Sequence, residues 1–417
     1  MSQSFGPLHG IRVMELGHFI AAPFCTRLLG DLGAEIIKIE PPGGDPVRSW
    51  GAQVDGHSVW WSVPGRTKKS VVVDLKSDDA RELILKLVAK CDAVVENFRP
   101  GLLKKIGLDD AALRAARPGL VIAHVSGFGQ TGPDRDRVAF GVIGEAIGGL
   151  RYLTNHGEGE SDLPSVRVGV SIGDSVAGLY AALGVVSELL RQSRHGKDQD
   201  GGTVDVALTD SVLSLMEGML PEYGSLDIVR EPSGARIPTA APTSAYPCSD
   251  GKWVLIAANS DALFQRLAKL IDRADLLRNP CFGDNAGRVN NVHALDNVIA
   301  DWTRRHPSQD VDQLCKEAGI PSTLIFTAKE CAESDQFRAR RMVREVDDPI
   351  VGRTLHPGIV PHIPEHEGRI RWTGPAVGAH TDEVLRELVG IEPPQSDVVD
   401  KQSSDAPAAP QSDHKPV

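Results

Sequence analysis

The first half of the chain alternates short apolar runs with stretches in which apolar residues recur at helical spacing. Ile11–Leu16 reads as a buried strand. Pro23 then sits in the first turn of a helix that stops at Gly33, and Ala34–Glu40 is a second strand. Strand, helix and strand in so short a span form a βαβ unit, with parallel strands and a right-handed crossover. Further strands are expected at Ser70–Leu75, Ala93–Glu96, Leu120–Val125 and Thr203–Leu208, with a helix after Ser77 and a short one near Ala111–Ala116. The pattern predicts an α/β fold: a Rossmann-like, doubly wound, mostly parallel sheet with helices on both faces.

The longest helical pattern opens at Gly173-Asp174-Ser175. Val176, Leu179, Tyr180, Leu183, Val186 and Leu190 then share a face, read here as the inner one. Asp174 stands where the helix begins. Two readings fit a carboxylate there. It caps the free N–H groups of the first turn, or it is a nucleophile that those same groups keep ionised. Local sequence leaves both open.

Beyond residue 220 the periodicity breaks at Pro221, Gly224, Pro232, Gly234, Pro238 and Pro242. The expected division is a large domain over 1–220, a linker over 221–244 and a smaller α+β domain over 245–330. Residues 393–417 are rich in Pro, Ser, Asp and Gln and poor in large apolar residues, and are expected to form a disordered tail.

Charge and composition narrow the chemistry. A net charge of −11 argues against nucleic acid as the main partner. The six cysteines are scattered without paired spacing, as expected of mostly buried thiols in a reducing compartment. The N-terminus has no secretory pattern, and no apolar run approaches the ~18 residues of a membrane span, so a soluble, cytoplasmic protein is expected. Gly127-Phe128-Gly129-Gln130-Thr131-Gly132 has dinucleotide-motif spacing, but Pro133 to Arg137 follow instead of a helix; a glycine loop beside an active site fits better. His356, His362 and His366 lie among prolines and are expected on surface loops, not as a metal site. Basic residues cluster near strand ends: Arg48, then Arg66, Lys68 and Lys69, then Arg99, Lys104 and Lys105 after Asn97. In an open parallel sheet such loops form the ligand crevice, and a diphosphate would seek these cations.

Several long segments, in order, resemble the class III CoA-transferases, the family of formyl-CoA transferase, carnitine CoA-transferases and α-methylacyl-CoA racemases. They are Leu8–Leu16, Leu32–Asp45, Val95–Gly101, Ser126–Pro133, Gly173–Ser175 and His380–Leu385. The resemblance implies a large domain built from both chain ends, with 331–392 returning to it and the small domain inserted. It also implies a homodimer of interlocked subunits. CoA thioesters are implied as substrates, with no tightly bound cofactor and no metal. Asp174 is implied to be the nucleophile, passing through an aspartyl anhydride and an aspartyl-CoA thioester. His18, Ala21 and Asn97 match positions that contact CoA, and Lys105 stands where formyl-CoA transferase has arginine. With Arg99, Arg48, Lys69 and Arg137 they complete the expected CoA-binding set.

Two departures matter. Ile20 replaces a glutamine of formyl-CoA transferase, and 225–245 lacks its glycine-run loop, which speaks against formyl or oxalyl substrates. Phe140-Gly141 replaces the histidine–aspartate pair of the racemase branch, which leaves racemisation without its histidine base. The expected activity is CoA transfer from an acyl-CoA, with succinyl-CoA as donor, to a carboxylic and dicarboxylic acceptor, for which Arg137 and Arg167 are available cations. The alternatives are an acyl-CoA isomerase or racemase, or a CoA-binding subunit of a hetero-oligomer.

Overall fold

The computed structural model describes residues 5–157, 159–195 and 201–391; the expected tail at 393–417 lies outside them. A six-stranded sheet organises the chain: β1 (Arg12–Glu15), β2 (Glu35–Glu40), β3 (Lys68–Val72), β4 (Ala93–Glu96), β5 (Val121–Ser126) and β6 (Thr203–Ala207). All neighbouring strands are parallel, in the order β3-β2-β1-β4-β5-β6. The winding reverses between β1 and β4, so a crevice opens beyond their carboxyl ends. Alternate residues feed two cores. Val13, Ile36, Val95 and Val121 point to one, Met14, Ile37, Val94 and Ile122 to the other. Burial on both faces explains the short continuous apolar runs.

Helix α1 (Ala21–Asp31) follows β1 and packs along α3 (Ile172–His195), with α2 (Gly141–Ile147) between them in sequence. Contact between α1 and α3 is close: a Cβ at Gly178 would lie 2.6 Å from the Ala21 carbonyl oxygen. Such an approach admits only small side chains, and this corrects the expected inner face of α3. Ala177, Ala181 and Val185 are buried, while Leu179, Leu183 and Leu190 are 54%, 60% and 51% exposed. Helix α3 is also long and apolar enough in composition to cross a membrane, contrary to the reading that no segment qualifies, but in this fold it packs against α1 and the sheet.

The third strand begins earlier than its apolar run suggested. Lys68 lies inside it and is fully buried, because Glu15 of β1 accepts its ammonium at 2.7 Å. Residues 343–357 form a hairpin of β10 (Val343–Asp348) and β11 (Gly352–Pro357), numbered after the antiparallel sheet of β7 (Thr243–Pro247), β8 (Trp253–Ala257) and β9 (Ser322–Leu324). That smaller sheet has its own core of Tyr246, Val254, Ile256, Phe264, Leu267 and Ile299. His356 on β11 is buried, not on the surface, and burial pushes it down to about 4. The chain then returns to cover the edge of β3. Trp372 Nε1 donates to the Lys68 carbonyl at 2.8 Å, and helix α4 (Thr381–Val389) begins where Thr381 Oγ1 accepts the Val72 N–H at 3.0 Å. The edge strand is thereby shielded from pairing with another chain.

Candidate active site

The loop after β1, Gly17–Ile20, is held from below by buried charge. Lys38 donates to the Gly17 carbonyl at 2.9 Å and pairs with Glu15 at 2.5 Å and Asp45 at 2.8 Å. Burial alone would raise Glu15, but Lys38 and Lys68 bring it down to about 2, whereas burial pushes Lys68 down to about 8. Asp45 also accepts the Phe19 N–H at 3.1 Å, and Phe19 adopts a left-handed φ of 62° that non-glycine residues avoid. Asn97 closes the clamp after β4: its Oδ1 accepts the His18 N–H at 2.9 Å and its Nδ2 donates to the His18 carbonyl at 2.8 Å. Asn97 therefore fixes the loop with both ends of its amide. His18 Nδ1 is buried without a hydrogen-bond partner, and burial lowers its pKa.

Above this loop lies a cleft of about 1090 Å³ at the carboxyl ends of β1, β4 and β5. His18, Ala21, Asn97, Arg99, Lys105, Arg137 and Asp174 all line it, so seven of the nine residues singled out from sequence meet in one place. Arg99, Lys104 and Lys105 line one wall and join no ion pair among the described residues. Arg137 lies 3.3 Å from Asp134 and over the Phe128 ring at 5.2 Å. The glycine loop contributes Gly127, and turns, not a helix, follow it directly.

Two expected ligand cations lie elsewhere, which corrects their assignment. Arg48 is locked onto Glu40 at 2.7 and 2.8 Å, donates to the Pro375 carbonyl at 2.7 Å and stacks on Trp61 at 3.8 Å. Lys69 bridges Glu35 at 2.9 Å and Glu383 at 2.7 Å, at the opposite ends of the strands. Sequence position placed both near strand ends, but their charge is neutralised by carboxylates of the fold.

Asp174 lies inside the first turn of α3 rather than at a cap position. Its carboxylate rests on Gly141, where a Cβ would come within 2.0 Å of Oδ2. The N–H groups expected to keep it ionised do not prevail. Burial, and next the negative charge of Glu145, raise it to about 6, against the opposing pull of Arg167 and its own N–H. Glu145 is buried one turn along α2, with Arg151 at 3.7 Å, Arg167 at 3.9 Å and its Oε1 unpartnered. Neither Gly141 nor Glu145 was recognised from sequence as part of the site. The available signal was Glu145 itself, the one acidic residue in the apolar stretch 139–148. An aromatic wall completes the cleft: Phe140 is 62% exposed and meets Phe19 at 6.1 Å, and Phe19 meets Trp50 at 5.4 Å.

A parallel α/β sheet, a crevice at its switch point rimmed by cations and a carboxylate of raised pKa on its floor define an enzyme suited to acyl chemistry on an anionic carrier. The family model of CoA-transferase family III matches residues 8–381, and the chain belongs to that family. It is 43% identical to the succinyl-CoA–D-citramalate CoA-transferase of Chloroflexus aurantiacus over 92% of this chain and 94% of that protein. It is 35% identical to the alpha subunit of the succinyl-CoA–L-malate CoA-transferase of the same species, over 92% and 89% of the two chains. A CaiB/BaiF family protein of Brucella suis superposes with a TM-score of 0.81 at 30% identity, over 92% of this chain and all of that one. The protein is a CoA-transferase that moves CoA from an acyl-CoA to a carboxylic acid.

Proposed function

We propose that Asp174 carries the transfer covalently, with succinyl-CoA as donor and a dicarboxylic acid as acceptor. The observation that carries this reading is the Asp174 carboxylate on the cleft floor, against Gly141 and beside Glu145. In the first half-reaction, Asp174 attacks the thioester carbonyl and CoA leaves as thiolate, giving an aspartyl–acyl anhydride. The thiolate then attacks the aspartyl carbonyl and the donor acid leaves, giving an aspartyl-CoA thioester. The acceptor carboxylate attacks that thioester and expels the thiolate, which attacks the acceptor's acyl carbon and restores free Asp174. The energy of the thioester is conserved throughout, with no metal or resident cofactor. We assign the stabilisation of the oxyanions to the first N–H groups of α2, the helix that opens where Gly141 meets the carboxylate.

The relatives that act on D-citramalate and L-malate support a dicarboxylic acceptor. Arg167, drawn toward Glu145 and Asp174, is the cation we assign to its distal carboxylate. A panel of dicarboxylates with succinyl-CoA tests this: acceptors with a second carboxylate should exceed their monocarboxylic analogues in kcat/KM, and equal rates overturn it. His18, Ala21, Arg99, Lys105 and Arg137 would bind CoA from the cleft walls, with Asn97 acting through the loop it clamps. Lys105→Ala should raise KM for acyl-CoA about tenfold while leaving kcat within a factor of two, because a phosphate contact serves ground and transition states alike.

The exposed leucines of α3 support a homodimer. Interlocked subunits, a small domain inserted in a large domain made by both chain ends, and action in the cytoplasm are part of this reading through the family resemblance. Light scattering should give twice the chain mass at micromolar concentration, and a monomer would refute the assembly.

A further inference from the structure

A second cavity, of about 580 Å³, lies at the other end of the sheet from Asp174. Arg12 and Glu35 begin β1 and β2, and Lys69 stands near the start of β3, so this pocket faces the amino ends of the strands. The chain carries a net charge of −11, yet four basic side chains, Arg12, Lys69, Arg369 and Arg371, face this cavity against only Glu35 and Glu383. Both carboxylates are already engaged. Glu35 takes Arg12 at 2.6 Å and Lys69 at 2.9 Å, and Glu383 takes Lys69 at 2.7 Å. Arg369 and Arg371 have no ion-pair partner among the described residues.

Arg371 is preorganised beside Arg369. The two stand two positions apart in an irregular, non-helical segment, the spacing that puts side chains on one face of an extended chain. The Arg371 guanidinium lies 4.5 Å from the Trp372 ring centre and 5.3 Å from that of Phe5, and its backbone N–H donates to Thr67 Oγ1 at 3.1 Å. A guanidinium steadied by two rings loses little freedom when it grips a planar oxyanion. Trp372 also stacks on His380 at 5.6 Å, so its ring is engaged and the recognition left to the pocket is ionic. His9 and His380 also line the cavity, and burial lowers the pKa of His380, whose Nδ1 accepts the Ser70 N–H at 3.3 Å.

We propose that this cavity is a second ligand site, separate from the CoA cleft, for a small polyanion whose clustered oxygens engage Arg369 and Arg371. Carboxylates and phosphoryl groups share that chemistry, and the size falls within the ~300–1,000 Å³ of small-ligand sites. The test is calorimetric titration of the full chain with its cleft saturated by CoA, using citrate in one arm and pyrophosphate in the other. One saturable site per chain is expected, and the tighter arm identifies the class of anion. The double substitution Arg369→Ser, Arg371→Ser should weaken it at least about tenfold while CoA exchange persists. Should that variant fail to fold, Glu383→Gln decides instead: it keeps both arginines, removes a negative charge from the wall and should tighten binding. The proposal is overturned if neither probe binds once CoA fills the cleft, or if the deciding variant binds as wild type does.

Discussion

Asp174→Ala should lower CoA exchange between succinyl-CoA and a labelled dicarboxylate by at least about 10³-fold, because in the proposed mechanism it removes the covalent nucleophile, and with it the reaction path and not one contact among many. Mass spectrometry of wild type incubated with acyl-CoA should find the adduct on the peptide containing Asp174, and the variant should lack it. Stability separates this role from that of a helix cap. The folded pKa, about 6, lies above the ordinary 3.8, so the protonated form is the one the fold favours. The associated stability is present below the ordinary value and is lost as pH rises through about 6; at pH 8 the ionised group is a cost. Asp174→Ala should therefore keep or raise Tm at pH 8, whereas loss of a cap would cost about 0.5–2 kcal/mol. A variant both inactive and less stable at pH 8 would count against the assignment.

The same titration sets a pH limb. Activity should fall about tenfold per unit below pH 6 as Asp174 takes up a proton. Glu145→Gln removes the charge that helps raise it, so the limb should move to lower pH, and an unmoved limb would mean that another group sets it.

Gly141→Ala should cost about 10²-fold in kcat with little change in folding. The added methyl would sit 2.0 Å from Asp174 Oδ2 and 2.7 Å from Cγ, so the carboxylate must shift by roughly an ångström. Gly141 opens α2 outside the left-handed region, so alanine suits its backbone. Circular dichroism should show an unaltered melting curve beside the lost rate. Wild-type kcat in this variant would show that the carboxylate has room to move without consequence.

Much of the sheet was legible along the chain. A strand buried on both faces must be apolar at consecutive positions, so β1, β4 and β5 appear as short runs without help from distant residues. Lys38 and Lys68 broke that rule, since a buried lysine is tolerated only beside a carboxylate, and Glu15 is brought to both of them by strand pairing. The inner face of α3 was misread for a related reason. Periodicity shows that a helix has an apolar side, but how near α1 lies decides whether leucine or alanine can face it. Asp174 and the clamp residue Asn97 were visible because each lies in a motif, whereas the accompanying Gly141 and Glu145 lie in an unremarkable apolar helix.

By itself the sequence determined the parallel α/β class and a helix-start aspartate as the residue to examine, because these follow from local periodicity and short motifs. Only the tertiary structure decided which cations stay available to a ligand. Arg48 and Lys69 are neutralised by Glu40, Glu35 and Glu383, while Arg99, Lys104 and Lys105 are left facing the cleft. It also decided the protonation of Asp174, because burial and the field of Glu145 act through space, and neither distance is written in the order of residues.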